Sequence, residues 1–113
     1  ASALIAALSA SGLPTHAFRF EGFLPVRNGP RKRRLESLKG DDATHIFYVP
    51  PHKLLRYIPE IIEVFGDRRA CLGREITKKF EEFNRGRLSD ILALYRARKP
   101  RGEMVLLVEG LTR

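Results

Sequence analysis

Residues 44–75 read THIFYVPPHKLLRYIPEIIEVFGDRRACLGRE, and this stretch decides the fold. Thr44 to Val49 is a short apolar run with β-branched and aromatic residues, bounded by Pro50-Pro51, the signature of a buried strand. From about His52 to Phe65 the apolar side changes to helical spacing, with Leu54, Leu55, Ile58, Ile61, Ile62 and Phe65 on it. Gly66 stops that helix, and Pro59 inside it is expected to kink or divide it. Arg69 to Glu75 then reads as another strand, so the unit is strand, helix, strand.

The same alternation extends in both directions. Downstream, Phe80 to Arg87 is expected as a strand, with a bulge or turn at Asn84-Arg85-Gly86. Ser89 is expected to cap a helix carrying Ile91, Leu92, Leu94 and Tyr95, and Met104 to Glu109 is a last, strongly apolar strand. Upstream, Phe18 to Phe23 alternates as a half-buried strand. Asn28-Gly29-Pro30 turns into a basic helix that starts at Pro30 and ends at Gly40. Ser2 to Ser11 is an Ala- and Leu-rich helix with Ser2 as N-cap and Gly12 as stop. The fold class is α/β: a sheet of about five mostly mixed strands with helices packed on its faces. No repeat, linker or low-complexity tract divides residues 1–113, so one domain is expected.

Composition narrows the function classes. Hydrophobic residues make up 43% of the chain, enough for a core. The longest apolar runs, Ala3 to Leu8 and Met104 to Val108, are far too short to span a bilayer, and no membrane partner is expected. No basic leader precedes the apolar start, so no secretory signal is expected. Because the chain starts at Ala1 within a helical pattern, an excised domain is expected. Cys71, the single cysteine, allows no internal disulfide and suits a buried apolar filler.

Net charge is +8, with a sequence pI near 10.3. Between Arg27 and Lys39 lie six cations (Arg27, Arg31, Lys32, Arg33, Arg34, Lys39) against one anion, Glu36. A second cluster comprises Arg96, Arg98, Lys99 and Arg101. Such density attracts phosphate backbones. In a helix, Arg31 and Arg34 share a face, so they and Arg27 are expected to reach phosphates, with Lys32 and Arg33 less important. A solvated face is the alternative reading.

Catalytic chemistry is harder to find. No Gly-rich phosphate loop occurs, and His16, His45 and His52 have no metal-ligand spacing. His45, within a strand, suits a structural role, while His52 at a helix start could cap or contact a ligand. Glu75, Glu81 and Glu82 lie near Lys78 and Lys79, where ion pairs explain them as readily as acid–base work. No catalytic group and no metal site can be named.

Ser2-Ala3-Leu4 with Ala7 to Pro14 resembles the opening of the second domain of the tetrapyrrole (corrin/porphyrin) methylase superfamily. Phe20-Glu21-Gly22-Phe23-Leu24-Pro25, followed by Arg27 and Arg31, resembles its ribosomal RNA small-subunit methyltransferase I branch. Further blocks agree in order: Ile46-Phe47-Tyr48, Pro51-His52-Lys53-Leu54-Leu55, Phe65 to Arg68, Arg74-Glu75-Ile76-Thr77-Lys78 with Glu81, Arg85-Gly86, and Gly102 to Gly110. The resemblance implies the C-terminal domain of a two-domain enzyme whose Gly-rich N-terminal cofactor domain is absent from this chain. It implies methyl transfer from S-adenosyl-L-methionine to a cytidine 2′-hydroxyl of small-subunit ribosomal RNA. Ser2, Ala3, Tyr48, Val49, Ile76, Thr77, Val108, Glu109 and Gly110 are implied to face the cofactor, and Arg27, Arg31, Lys32, Arg33 and Arg34 the RNA. Implied partners are small-subunit ribosomal RNA or the assembled small subunit and the enzyme's own N-terminal domain, with a homodimer left open.

Two positions depart from the resembling pattern. Val49 stands where Glu is common, removing a candidate proton acceptor, and Lys53 replaces Arg. A cytoplasmic location is expected, with the chloroplast stroma as the alternative that Val49 suggests. The alternatives in function are a tetrapyrrole or protein methylase of the same superfamily and a non-catalytic RNA-binding module. The 113 residues alone are expected to be inactive.

Overall fold

The computed structural model of the chain describes residues 2–112, with Ser2, Ala3 and Ile5 described in backbone only. The elements run α1 (Ser2–Ser11), β1 (Phe18–Phe23), α2 (Asn28–Leu38), β2 (Thr44–Val49), a 3-10 turn (Pro51–Lys53), α3 (Leu54–Phe65), β3 (Arg69–Arg74), β4 (Glu82–Arg87), α4 (Leu88–Ala97) and β5 (Met104–Val108). They build one five-stranded mixed sheet in the order β1-β2-β5-β3-β4. β1 and β2 pair in parallel through the α2 crossover, while β5 lies antiparallel between β2 and β3, and β4 antiparallel on β3. No helix among the described residues is long and apolar enough to cross a membrane.

The period of two along the central strands divides the core into two layers. Phe47 and Val49 of β2, Ala70 and Leu72 of β3, and Met104, Leu106 and Val108 of β5 pack beneath α2, α3 and α4. Ile46, Cys71, Val105 and Leu107 point to the opposite face, where Ala7 and Leu8 of α1 cover them. All five residues of β5 are buried, because it is central and covered on both faces. A fully buried aliphatic side chain stabilises by about 1.5–3 kcal/mol, so this strand anchors the domain.

Local details correct several expectations. α2 begins at Asn28, two residues before Pro30, which still sits in the first turn where its missing N–H costs nothing. Pro59 lies within α3 without dividing it, and the helix closes with the Gly66 N–H donating to the Ile62 carbonyl at 2.8 Å. β4 is regular through Asn84, Arg85 and Gly86; the bulge falls instead in β1, where Glu21 is the extra residue between Phe20↔Ile46 and Gly22↔Phe47. Ser89 is not the N-cap of α4. The Asp90 carboxylate accepts from the Arg87 N–H at 2.9 Å, while Asp67 accepts from both the Ser89 N–H (2.9 Å) and its hydroxyl (2.5 Å). Asp67 thus holds the first turn of α4 from the loop after α3, a cap supplied from 22 residues away. Ser2, expected as the N-cap of α1, is described in backbone only, so its side-chain capping lies outside the description.

Candidate functional site

β1, β2 and β3 run in one direction, so their C-terminal ends meet at one edge of the sheet, and β5 starts there. A half-open groove of about 620 Å³ occupies that edge. Phe23, Tyr48, Val49 and Ile76 line it from the strand ends, Pro50 and Pro51 from the turn after β2, and Gly102, Glu103, Met104 and Val105 from the start of β5. Its walls are mainly apolar, as a site for a flat heteroaromatic group requires. The Tyr48 ring is fixed by Phe20, edge-on at 5.1 Å, and by Phe23 at 5.3 Å.

Backbone strain gathers at the same edge. Glu75 (φ 50°) and Thr77 (φ 64°) both adopt the left-handed region, which costs on the order of 1 kcal/mol or more for each residue that is not glycine. The conformation is held by the Glu75 N–H donating to the Glu103 carbonyl (2.9 Å) and the Thr77 N–H donating to Glu81 Oε1 (2.8 Å). Gly102 (φ 83°) lies so close that a Cβ there would stand 2.3 Å from Glu75 Oε1. Glu75 Oε2 is buried without a hydrogen-bond donor, with Lys78 Nζ at 3.3 Å as its ionic neighbour. Strain concentrated in one loop beside a groove is a frequent mark of a functional site.

Of the cofactor-facing positions implied by resemblance, Tyr48, Val49 and Ile76 line the groove, and Thr77 is exposed beside Ile76. The side chains of Ser2 and Ala3 lie outside the described residues. Val108, Glu109 and Gly110 lie away from this groove. β5 is antiparallel, so Val108 pairs with His45 and Ala70 at the far end of the sheet, while Met104 pairs with Val49 and Arg74 at the groove. Four residues of strand, roughly 13 Å, separate the two ends. Val108 is fully buried beneath the helices, Glu109 pairs with Arg69 at 3.6 Å, and a Cβ on Gly110 would stand 2.3 Å from the Asp42 backbone. None of the three lines the groove. The groove is served instead by Gly102, Met104 and Val105, which sequence reasoning missed because the apolar run of β5 does not disclose its direction.

The basic helix also departs from expectation. Arg31 is only 1% exposed and is turned inward rather than toward solvent. Its Nε donates to Glu60 Oε1 at 2.6 Å and its Nη2 to Glu60 Oε2 (3.1 Å) and Asn28 Oδ1 (2.7 Å). Its Nη1 donates to the Val26 carbonyl at 2.8 Å, and the guanidinium lies 4.5 Å over the Tyr57 ring. Arg31 therefore ties the loop before α2 to α3. The hydrogen bonds from Arg31 hold the Glu60 carboxyl below its ordinary value despite partial desolvation. Arg34 is exposed but reaches Glu21 at 3.3 Å. Arg27, Lys32 and Arg33 are exposed with no ion pair among the described residues; Arg27, just before α2, faces outward as expected, while on α2 the unpaired charge lies on Lys32 and Arg33, the residues given the smaller role by helical phase.

The bulge turns Glu21 inward, where its Oε2 lies 2.9 Å from His45 Nδ1. His45 is fully buried between Phe47 and Phe65, placing it in the core rather than in the groove. His52 is exposed on the turn after Pro50-Pro51. Glu82 accepts from Arg98 Nη1 at 2.6 Å and from Asn84 Nδ2 at 3.0 Å, which together pull its carboxyl down to about 2. Burial pushes the Cys71 thiol up to about 11, so it stays protonated.

No protein-family model matches the chain. Curated relatives nonetheless align along nearly all of it. Proteins named "Ribosomal RNA small subunit methyltransferase I" are 48% identical over 109 residues in Mesorhizobium japonicum, 42% over 110 residues in Bacillus subtilis and 40% over 109 residues in Thermotoga maritima. These matches cover 95–97% of this chain but 37%, 38% and 49% of the respective relatives, so the chain spans less than half their length. Among solved structures, the methyltransferase CobJ has a TM-score of 0.69 at 23% identity over 97% of this chain and 48% of its own. The cobalt precorrin-4 methyltransferase CbiF has 0.70 at 20% identity over 96% and 48%. A Thermus thermophilus uroporphyrin-III C-methyl transferase, complexed with S-adenyl homocysteine, has 0.61 at 20% identity over 96% and 49%. At such identities these neighbours establish the fold, which is that of one half of a tetrapyrrole methylase.

Proposed function

Since the chain belongs to the ribosomal RNA small subunit methyltransferase I family, we propose that it is the second half of an S-adenosyl-L-methionine-dependent enzyme. That enzyme methylates a cytidine 2′-hydroxyl in small-subunit ribosomal RNA. The observation that carries the reading is the apolar groove at the shared C-terminal edge of β1, β2 and β3. In open α/β sheets ligands bind outside the carboxyl ends of strands, and a flat adenine suits apolar walls. The residues present fit the group: Tyr48, Val49, Ile76, Met104 and Val105 would pack the adenosine, with Thr77 beside it. When bound, S-adenosylmethionine supplies the electrophilic methyl group.

The chain's own contribution is binding, orientation and exclusion of water. Tyr48, wedged between Phe20 and Phe23, offers a wall whose position does not have to be set on binding. The strained turn at Glu75 to Thr77 closes one end of the groove. Holding the ribose hydroxyl in line with the methyl donor accounts for a large part of the rate in such transfers. Among the described groove residues the single carboxylate, Glu103, is ion-paired to Lys78, and Val49 carries no proton-accepting group. Proton removal is thus assigned to solvent or to the other half of the enzyme. Arg27, Lys32 and Arg33 supply phosphate contacts to the RNA.

The test is cofactor binding by the full-length protein. Tyr48→Ala should raise the S-adenosylmethionine Kd by about 10-fold, the scale of one buried aromatic wall. Calorimetry showing unchanged affinity, with the fold intact, would place the cofactor elsewhere.

A further inference from the structure

Phe80 is 72% exposed, outside both core clusters, on the loop between β3 and β4. The Lys79 ammonium lies 5.6 Å from its ring centre. A single exposed aromatic is ordinary on a protein surface; what marks Phe80 is the cation beside its ring and the further cations around it. Two shallow depressions meet beside it. One, of about 400 Å³, is lined by Arg74, Glu75, Lys78, Lys79 and Phe80; the other, of about 310 Å³, by Arg74, Arg98, Lys99 and Arg101. Arg74 lines both, so they adjoin along one stretch of surface.

The charges along that stretch fall into two groups. Arg74 donates from Nε to the Arg101 carbonyl at 2.6 Å and pairs with Glu82 at 3.4 Å, Arg98 is also paired to Glu82, and Lys78 is paired to Glu75 and Glu103. These paired ions form a fixed floor. Lys79, Lys99 and Arg101 have no carboxylate partner among the described residues, so the charge facing solvent is positive. The stretch lies at the same edge of the sheet as the groove, since Glu75 precedes Ile76 and Arg101 precedes Gly102.

We propose that the β3–β4 loop and the segment before β5 form a track for single-stranded RNA, with Phe80 stacking on an unpaired base and Lys79, Lys99 and Arg101 holding the neighbouring phosphates. Single strands are bound by this combination of an aromatic platform and a cationic path, whereas a duplex keeps its bases stacked and offers none to the ring. The track lies apart from the cations of α2 and delivers an unpaired nucleotide to the edge where transfer is assigned. It rests on the reading of the chain as part of an RNA-modifying enzyme.

The experiment measures fluorescence anisotropy of the full-length protein with a labelled RNA of about 12 nucleotides, single-stranded or fully duplexed. Phe80→Ala should weaken single-strand binding by about 5- to 100-fold, the range of one base–aromatic stack, and leave duplex binding nearly unchanged. Phe80→Tyr should retain affinity. The combined Lys79→Ala, Lys99→Ala and Arg101→Ala variant should lower the log–log salt slope by about 2, or about 0.7 per phosphate contact. Wild-type binding to RNA with both variants unchanged would overturn the track while leaving the enzyme reading in place. A protein that binds no RNA yet methylates a protein or small molecule would overturn both. A lowered thermal midpoint for Phe80→Ala with unaltered RNA binding would also overturn the track, since another part of the protein would then cover the ring.

Discussion

Replacing Arg31 with methionine removes the charge but keeps most of the side-chain length. Five groups then lose a donor or cation: Glu60, the Pro25 and Val26 carbonyls, part of the Asn28 amide's bonding, and the Tyr57 ring. Breaking a buried ion pair costs about 3–5 kcal/mol. Glu60 keeps 35% of its side chain in solvent and Asn28 keeps its bond from Arg56, so water and Arg56 recover part of this. A net loss of about 3 kcal/mol is expected. With an unfolding entropy of about 2.1 cal/mol/K per residue, the 113-residue chain would lose about 12 °C from its thermal midpoint. Lys32→Ala and Arg33→Ala should each stay within about 0.5 kcal/mol, or about 2 °C. Circular-dichroism melts of the three variants decide the matter. The structural role of Arg31 would be refuted by a near-wild-type midpoint for Arg31→Met together with a flattened salt dependence of RNA binding.

Further expectations concern pH, close approach and strain. Glu82 has a folded-state pKa of about 2 against an ordinary 4.5. Its contribution to stability is therefore complete above about pH 4.5 and is lost as pH falls toward 2, so Glu82→Gln should flatten the stability profile across that window; an unchanged profile counts against the Arg98 pairing. Gly110→Ala should lower stability by about 2–3 kcal/mol in urea melts, because its Cβ would meet backbone atoms that no side-chain rotation can move; a cost under about 0.5 kcal/mol would contradict the close approach. Thr77→Asn, which tolerates the left-handed region better, should raise stability by up to about 1 kcal/mol; a large loss would show that the Thr77 side chain makes contacts outweighing its strain.

The sequence discloses elements better than it discloses directions and partners. Thr44 to Val49, Phe18 to Phe23 and Ser2 to Ser11 have the expected bounds because each is closed by a proline or glycine or by a change of period. The β1 bulge was not legible, since an inward Glu21 is intelligible only once His45 is known to lie opposite. Asp67 capping α4 was equally hidden, because it depends on two loops meeting. Arg31 was misplaced for a related reason: helical phase groups it with Arg34, but Glu60 sits on a different helix 29 residues away. At the groove, Tyr48 and Ile76 had been implied by the resemblance, whereas Met104 and Val105 required the antiparallel direction of β5, which side-chain pattern does not encode.

The role proposed for this domain is to complete the cofactor groove of an enzyme acting on small-subunit ribosomal RNA. Its most direct measurement is transfer of an isotopically labelled methyl group from S-adenosylmethionine by the full-length protein to purified small subunits, followed by mass spectrometry of the digested RNA. Label is expected on a cytidine ribose 2′-oxygen, greatly reduced by Tyr48→Ala. Label on a base, on a protein or on a tetrapyrrole instead, or none on RNA, would contradict it.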